Sequence, residues 1–190
     1  EQDTFIAVQR EVTRLQRLVG DLQELSRAEA GQISLDLTPV SPAELIRNVA
    51  GHLTPQFQDK GVGLRLDLPP DLPLVQADAS RITQVLTNLV GNALQYTPAG
   101  GAVAVRAVSQ THEVVVSVQD TGIGIEAEHL PHVFERFYRV DKSRSRASGG
   151  SGIGLTIAKY LVEQHGGRIT AASAGPGQGS TITFTLPRAL

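Results

Sequence analysis

The opening stretch "QDTFIAVQREVTRLQRLVGDLQELSRAEA", residues 2–30, limits the possible folds more than any other. Phe5, Val8, Val12, Leu15, Val19 and Leu22 recur at alternating steps of three and four, and Leu18 and Leu25 widen the stripe. That is the a/d seam of a coiled-coil-type helix. A helix of this length spans roughly 40 Å at 1.5 Å per residue and cannot bury its own seam, so it calls for partner helices. Gly31 is a plausible stop. "PVSPAEL" then restarts a helix, with Ser41 as N-cap, Pro42 in the first turn and Glu44 completing a capping box. The spacing predicts a helical extension over residues 1–31 and a second unit over 40–190.

Beyond the boundary, helix 42–58 precedes "VGLRLDLP", where Leu64, Leu66 and Leu68 alternate as in a half-buried strand. Asp78 is a good cap for a helix over 79–95. "AVAVRAV" and "EVVVSVQD" predict one antiparallel pair of strands, and "RITAASA" and "STITFTLP" another, with Ile182, Phe184 and Leu186 on one face. Between the pairs we expect a short helix at 127–138, an irregular basic and glycine-rich stretch at 139–152, and a helix over 153–165. The interleaving predicts an α+β fold, a two-layer sandwich whose mainly antiparallel sheet packs on helices.

Bulk properties exclude several classes. Of 190 residues, 41% are hydrophobic and 19% charged, enough for one good core with an appendage. A formal charge of −2 offers no basic field for nucleic acid. The absence of cysteine removes disulfides, thiolate metal sites and a cysteine nucleophile, and fits a reducing compartment. No run approaches the ~18 apolar residues of a membrane span. The sequence starts at Glu1 already in a helical pattern, which leads us to expect a piece of something longer, with any membrane anchor elsewhere.

Four segments carry chemistry. In "NLVGNALQYTP", Asn88 and Asn92 lie one turn apart at the depth of leucines and valines. An unpartnered buried amide costs about 1–3 kcal/mol, so each either bonds to nearby backbone or faces a cleft. "DTGIGI", Asp120–Ile125, puts a carboxylate at a strand end before two closely spaced glycines. Such a turn suits an exocyclic amine in close approach, though alone it reads equally well as a hairpin exit. "FERFYRVDKSRSRASGG" places Arg136, Arg139, Lys142, Arg144 and Arg146, five of the 17 basic residues, within eleven positions, with Phe134, Phe137 and Tyr138 expected to anchor its near edge. A basic lid over phosphates would account for that composition and length. "GGSGIGL" brings Gly150, Gly152 and Gly154 to the start of a helix, where successive N–H groups suit an anion. It is neither a Walker loop nor a dinucleotide fingerprint.

Taken together and in this order, the segments resemble the ATP-binding catalytic domain of sensor histidine kinases, with its Bergerat-type fold, and more distantly the ATPases of type II topoisomerases and heat-shock chaperones. The likeness runs from about residue 40 to the end. It implies that Asn92 ligates a Mg2+ bridging the phosphates of ATP. Asn88 takes the place of a glutamate that activates water in the hydrolysing relatives, and an amide cannot serve as that base. It also implies that Tyr96 stacks on adenine, that Asp120 accepts from its amino group, and that Arg139, Lys142 and Arg144 reach the phosphates. Gly122, Gly124, Ile125, Gly150, Gly152, Ile153, Gly154, Leu155 and Thr181 complete the expected nucleotide site. Gln95 departs from the pattern, standing where many relatives carry a cationic phosphate ligand.

By the same resemblance, "RLQRLVGDLQELSRAEAG" looks like the second helix of a dimerisation and phosphotransfer hairpin. The implied partners are ATP, a phosphoacceptor histidine helix, a response regulator receiver domain and a second copy through the N-terminal helix. The implied setting is the cytoplasmic side of a bacterial inner-membrane protein. No His-Glu-x-x-x-Pro box is present: His52 has no acidic neighbour, and His112, His129, His132 and His165 read as turn, surface or helix-end residues. The expected activity is transfer of the γ-phosphate to a histidine outside this sequence. A regulatory ATP-binding module and a hydrolysing ATPase are the competing expectations.

Overall fold

A computed structural model describes residues 2–138 and 152–189. Helix α1 (Gln2–Glu29) leads into strand β1 (Thr38–Val40), helix α2 (Pro42–Lys60), strands β2 (Gly63–Asp67) and β3 (Val75–Ala77), and helix α3 (Ala79–Tyr96). Strands β4 (Ala102–Ser109) and β5 (Glu113–Asp120) follow, then helix α4 (Gly154–Gln164) and strands β6 (Ile169–Ala172) and β7 (Ser180–Pro187). The main sheet has the order β2-β4-β5-β7-β6, parallel between β2 and β4 and antiparallel elsewhere. Strands β1 and β3 form a small separate antiparallel ribbon.

Alternation decides which face of the sheet is covered. Val103, Val105 and Ala107 on β4, Val114, Val116 and Val118 on β5, and Ile182, Phe184 and Leu186 on β7 are all buried. They meet Ile82, Val85, Leu86 and Leu89 of α3 and Ile157, Leu161 and Val162 of α4 in one core. The molecule is therefore the two-layer α+β arrangement that the pattern predicts.

Local chemistry fixes the helix ends. The Ser41 hydroxyl accepts from the Glu44 N–H at 3.3 Å, and the Asp78 carboxylate accepts from the N–H groups of Ser80 and Arg81. At Gly31 (φ 65°) the chain leaves α1 with Gly31 N–H bonded to Ala28 O and Gln32 N–H to Arg27 O. This paired closure needs a left-handed residue. The last turns of α1 dock on the domain: Leu25 and Ala28 are buried, and Glu24 accepts from Arg81 at 2.7 Å. The seam from Phe5 to Leu22, by contrast, is 44–64% exposed.

Two expectations need correction. The helix expected over 127–138 is only a 3-10 turn at Leu130–His132. Pro131 sits in the first turn of that short segment, where its missing N–H costs little, and Phe137 at φ 59° leaves the helical region before the expected end. Helix α2 runs two residues past its expected end, to Lys60, despite Pro55.

Candidate functional site

Helix α3 brings the two asparagines to the edge of α4. Asn88 Nδ2 donates to the Gly154 carbonyl at 3.1 Å, which ties the asparagine segment to the glycine loop. The amide orientation follows from that bond, since only the NH2 end can donate. Among the described residues nothing donates to its Oδ1. One turn later Asn92 is half-buried, and among the described residues no hydrogen bond holds its side chain. Ile153 is fully buried and anchors the start of α4, while Gly152 takes a φ of 71°. Leu155 is half-buried against the core.

Asp120 closes β5 with its carboxylate nearly buried, 7% exposed. Its Oδ1 accepts from Gly122 N–H at 2.7 Å and Ser180 N–H at 3.2 Å, and its Oδ2 accepts from the Ser180 hydroxyl. Among the described residues Oδ2 keeps one lone pair, enough for one more donor. Gly122 is wedged against the end of α3, where a Cβ would collide with the Tyr96 carbonyl, and Ile123 N–H donates to that same carbonyl at 3.2 Å. Gly124 (φ 72°) faces the Gly175 carbonyl so closely that no side chain fits. The turn after Asp120 thus meets α3 at its Tyr96 end, and the Gly154 start of α4 meets it at Asn88. Tyr96 itself is 37% exposed.

Several contributors were not visible in the sequence. Ser180, not the neighbouring Thr181, meets Asp120; Thr181 pairs with Gln119 and Ala172 along β7. Ser173 donates to Gly179 O at 2.6 Å and accepts from Ile125 N–H at 3.0 Å, bracing the glycine turn. The three glycines of "GPGQG" were the signal available for this brace. Lys60 reaches from the end of α2 to donate to Leu94 O at 2.7 Å and Gln95 O at 2.8 Å. A cation there complements the carbonyl end of α3. Burial holds the Lys60 ammonium below the usual lysine range. The Gln95 Nε2 is buried without a hydrogen-bond partner.

At the near edge of the expected lid, Phe134 packs against the core and the Tyr138 hydroxyl meets His129 Nδ1 at 2.6 Å. Phe137 does not anchor by burial as expected. It is 57% exposed and takes a φ of 59°, a costly conformation for an aromatic residue, while its N–H donates to Gly152 O at 3.1 Å. That bond joins Phe137 to the residue that opens the approach to α4. Arg139, Lys142, Arg144, Arg146 and Gly150 lie outside the described residues.

Known proteins share this arrangement. Residues 77–190 match the family described as histidine kinase-, DNA gyrase B-, and HSP90-like ATPase. The signal transduction histidine-protein kinase BaeS of Escherichia coli K12 is 38% identical over 185 residues, 97% of this chain and 39% of BaeS. The crystal structure of full-length ShkA in complex with AMPPNP superposes with a TM-score of 0.85 at 32% identity, over 100% of this chain and 40% of that one. The histidine kinase ThkA in complex with the response regulator TrrA superposes with a TM-score of 0.77 at 25% identity, over 96% of this chain and 50% of that one.

Proposed function

The chain belongs to the histidine kinase-, DNA gyrase B- and HSP90-like ATPase family, and from that premise we propose that it binds Mg-ATP and delivers the γ-phosphate to a histidine of a dimerisation and phosphotransfer segment in two-component signalling. The observation that carries this reading is the Asn88 amide held against Gly154 O. Where a hydrolysing relative has a carboxylate base, this helix presents a neutral group that cannot take a proton from water at neutral pH. ATP is thereby bound and kept for another acceptor.

Asp120 would take the adenine amino group on its remaining Oδ2 lone pair, and Tyr96 would cover the ring. Asn92, with an unengaged amide oxygen, would ligate Mg2+, a hard cation suited to oxygen. When bound, that ion neutralises charge between the phosphates. Gly152 and Gly154 let the backbone approach the phosphates at the start of α4, and Arg139, Lys142 and Arg144 would close over them. Gln95 stands where many relatives carry a cationic phosphate ligand, and its buried Nε2 brings no charge to that place. ATP affinity should be correspondingly modest.

The chain spans 39% of BaeS, so the partners of a complete protein are part of the proposal. They are a phosphoacceptor helix, a receiver domain of a response regulator and a second subunit meeting the exposed α1 seam. Nucleic acid is not among them. No described helix is long and apolar enough to cross a membrane; we place this chain on the cytoplasmic side of an inner-membrane parent.

The test supplies a phosphoacceptor hairpin and γ-labelled ATP. Phosphohistidine on the hairpin, with steady-state hydrolysis near background, is the expected result. Binding without transfer would favour a regulatory ATP module, and rapid turnover without transfer a hydrolase.

A further inference from the structure

The two ends of the main sheet are β2 and β6. Among the described residues strand β2 pairs only with β4, in a parallel register that sets Gly63 opposite Ala102 and Asp67 opposite Arg106. Gly63 N–H donates to Gly101 O on that side, so Gly63, Arg65 and Asp67 direct their backbone groups at β4. Leu64 and Leu66 therefore direct theirs outward, and among the described residues nothing receives them. Side chains follow the opposite division. Leu64, Leu66 and Leu68 pack toward the helical layer, whereas Arg65 and Asp67 stand in solvent with side chains 70% and 55% exposed.

An unpaired edge is a template for another strand. Its sequence, Leu64-Arg65-Leu66-Asp67-Leu68, is its own complement when reversed about Leu66. Antiparallel pairing there sets Leu66 opposite Leu66, Leu64 opposite Leu68, and Arg65 opposite Asp67 twice. The one-residue alternative centred on Arg65 would instead juxtapose two arginines, and opposed like charges in a sheet destabilise it. We propose that β2 is a self-pairing edge, through which two copies of this chain join their main sheets about Leu66 into one continuous sheet.

Three further observations fit this occupant. Asp67 is already flanked by Arg106 at 3.4 Å and Arg65 of its own strand at 3.6 Å, both exposed. A second copy would add its Arg65 on the open side, giving the cross-strand order Arg106, Asp67, Arg65 of alternating sign. A groove of about 470 Å3 runs along the edge, bounded by Ala50, Gly51 and Thr54 on α2 and by Leu64 and Leu66 on β2. It would receive the leucines that the partner strand brings to the same layer. The outward N–H and C=O of Leu66 would exchange both bonds with their symmetry mates. A short strand pair buries less than a standard interface, so the association is weak and concentration-dependent.

The chain has no cysteine, which permits a position-specific test. Arg65 and Asp67 would form a pair without mutual backbone hydrogen bonds, with Cα atoms about 4.5 Å apart, within reach of a disulfide. Arg65→Cys mixed with Asp67→Cys should form the mixed disulfide on mild oxidation much faster than either variant alone. The remaining Arg65 and Asp67 also attract each other only in the mixture. In a second arm all chains carry Leu15→Lys, which removes any contribution of the α1 seam. Asp67→Arg or Arg65→Asp alone should then weaken self-association about tenfold in sedimentation, since each opposes like charges twice. An equimolar mixture of the two should restore it. Equal cross-linking in all combinations, or single reversals that associate like the parent, would overturn the proposal.

Discussion

At the scale of single residues, the candidate site depends on how many partners each polar atom already has. Asp120 spends three of its four lone-pair sites on Gly122 and Ser180, which orients the carboxylate while leaving one position open. Asp120→Asn replaces one oxygen with an NH2 group. Either Ser180 or the adenine amine then faces a donor instead of an acceptor. The expected loss in ATP affinity is about 10–100-fold, from an unmatched polar contact of roughly 1–3 kcal/mol. Calorimetric titration measures it, and a preserved circular dichroism spectrum would separate it from unfolding. Asn92 differs because its amide bonds to nothing within the described residues. Asn92→Ala should weaken Mg-ATP binding at least tenfold while changing the affinity for metal-free ATP little. Equal losses with and without the ion would remove Asn92 as a metal ligand.

The elements are held by contacts that are partly local and partly remote, and this division explains what could be read beforehand. Caps at Ser41 and Asp78, the closure at Gly31 and the alternation of Val103, Val105, Val114 and Val116 depend on neighbours in sequence, and all were legible. Lys60 bonding to Leu94 and Gln95, Ser180 bonding to Asp120, and β2 running parallel to β4 join residues far apart, with no periodicity to announce them. The helix expected at 127–138 is interrupted in the same remote way, since Phe137 takes a positive φ and bonds to Gly152 O, a contact that no local pattern announces. Asp78 shows how one such element responds to pH. Burial would raise its pKa, but bonds from Ser80, Asp36 and Arg81 outweigh it and hold the group below its ordinary 3.8. In the pH window between these two values the unfolded chain binds the proton more readily, so stability rises with pH there. The Asp78 contribution should be complete above about pH 4 and be lost as pH falls through the lowered folded value. Acid denaturation of Asp78→Asn should lack that component, while the Oδ1 cap persists and the Asp36 N–H loses its acceptor. Gly124 sets a steric limit on the neighbouring turn. Gly124→Ala combines a left-handed backbone with a collision at Gly175 O, and should lower stability by about 1–3 kcal/mol in chemical denaturation while moving the Asp120 turn and reducing ATP affinity.

For the molecule as a whole, the exposed seam of α1 and the positions of the histidines lead to one joint expectation: this chain should bind ATP, associate through α1 and fail to phosphorylate itself. Phosphoryl transfer needs a nucleophile in line with the phosphorus and about 3–3.5 Å away, because positioning supplies most of the catalysis. His165 cannot serve, since its Nε2 accepts from Asp78 N–H at 3.0 Å and its Nδ1 meets Leu161 O at 2.7 Å inside the core. His129 and His132 have their Nδ1 atoms engaged by Tyr138 and Glu135. His52 is exposed on α2, without the acidic residue and the proline spacing that the resemblance calls for. After incubation with Mg-ATP, no acid-labile phosphate should therefore form, and stoichiometric phosphohistidine at any of these positions would refute this. The seam needs a different probe. Removing residues 1–30 would also strip Leu25 and Ala28 from the core and Glu24 from Arg81, so a loss of association after deletion would have two explanations. Val12→Lys with Leu15→Lys changes only exposed positions midway along the helix. It should abolish association along α1 in sedimentation while leaving ATP affinity and melting temperature close to those of the parent. Unchanged association in that variant would mean that the heptad stripe is not what brings copies together, and the pairing would then have to be sought at the sheet edge alone.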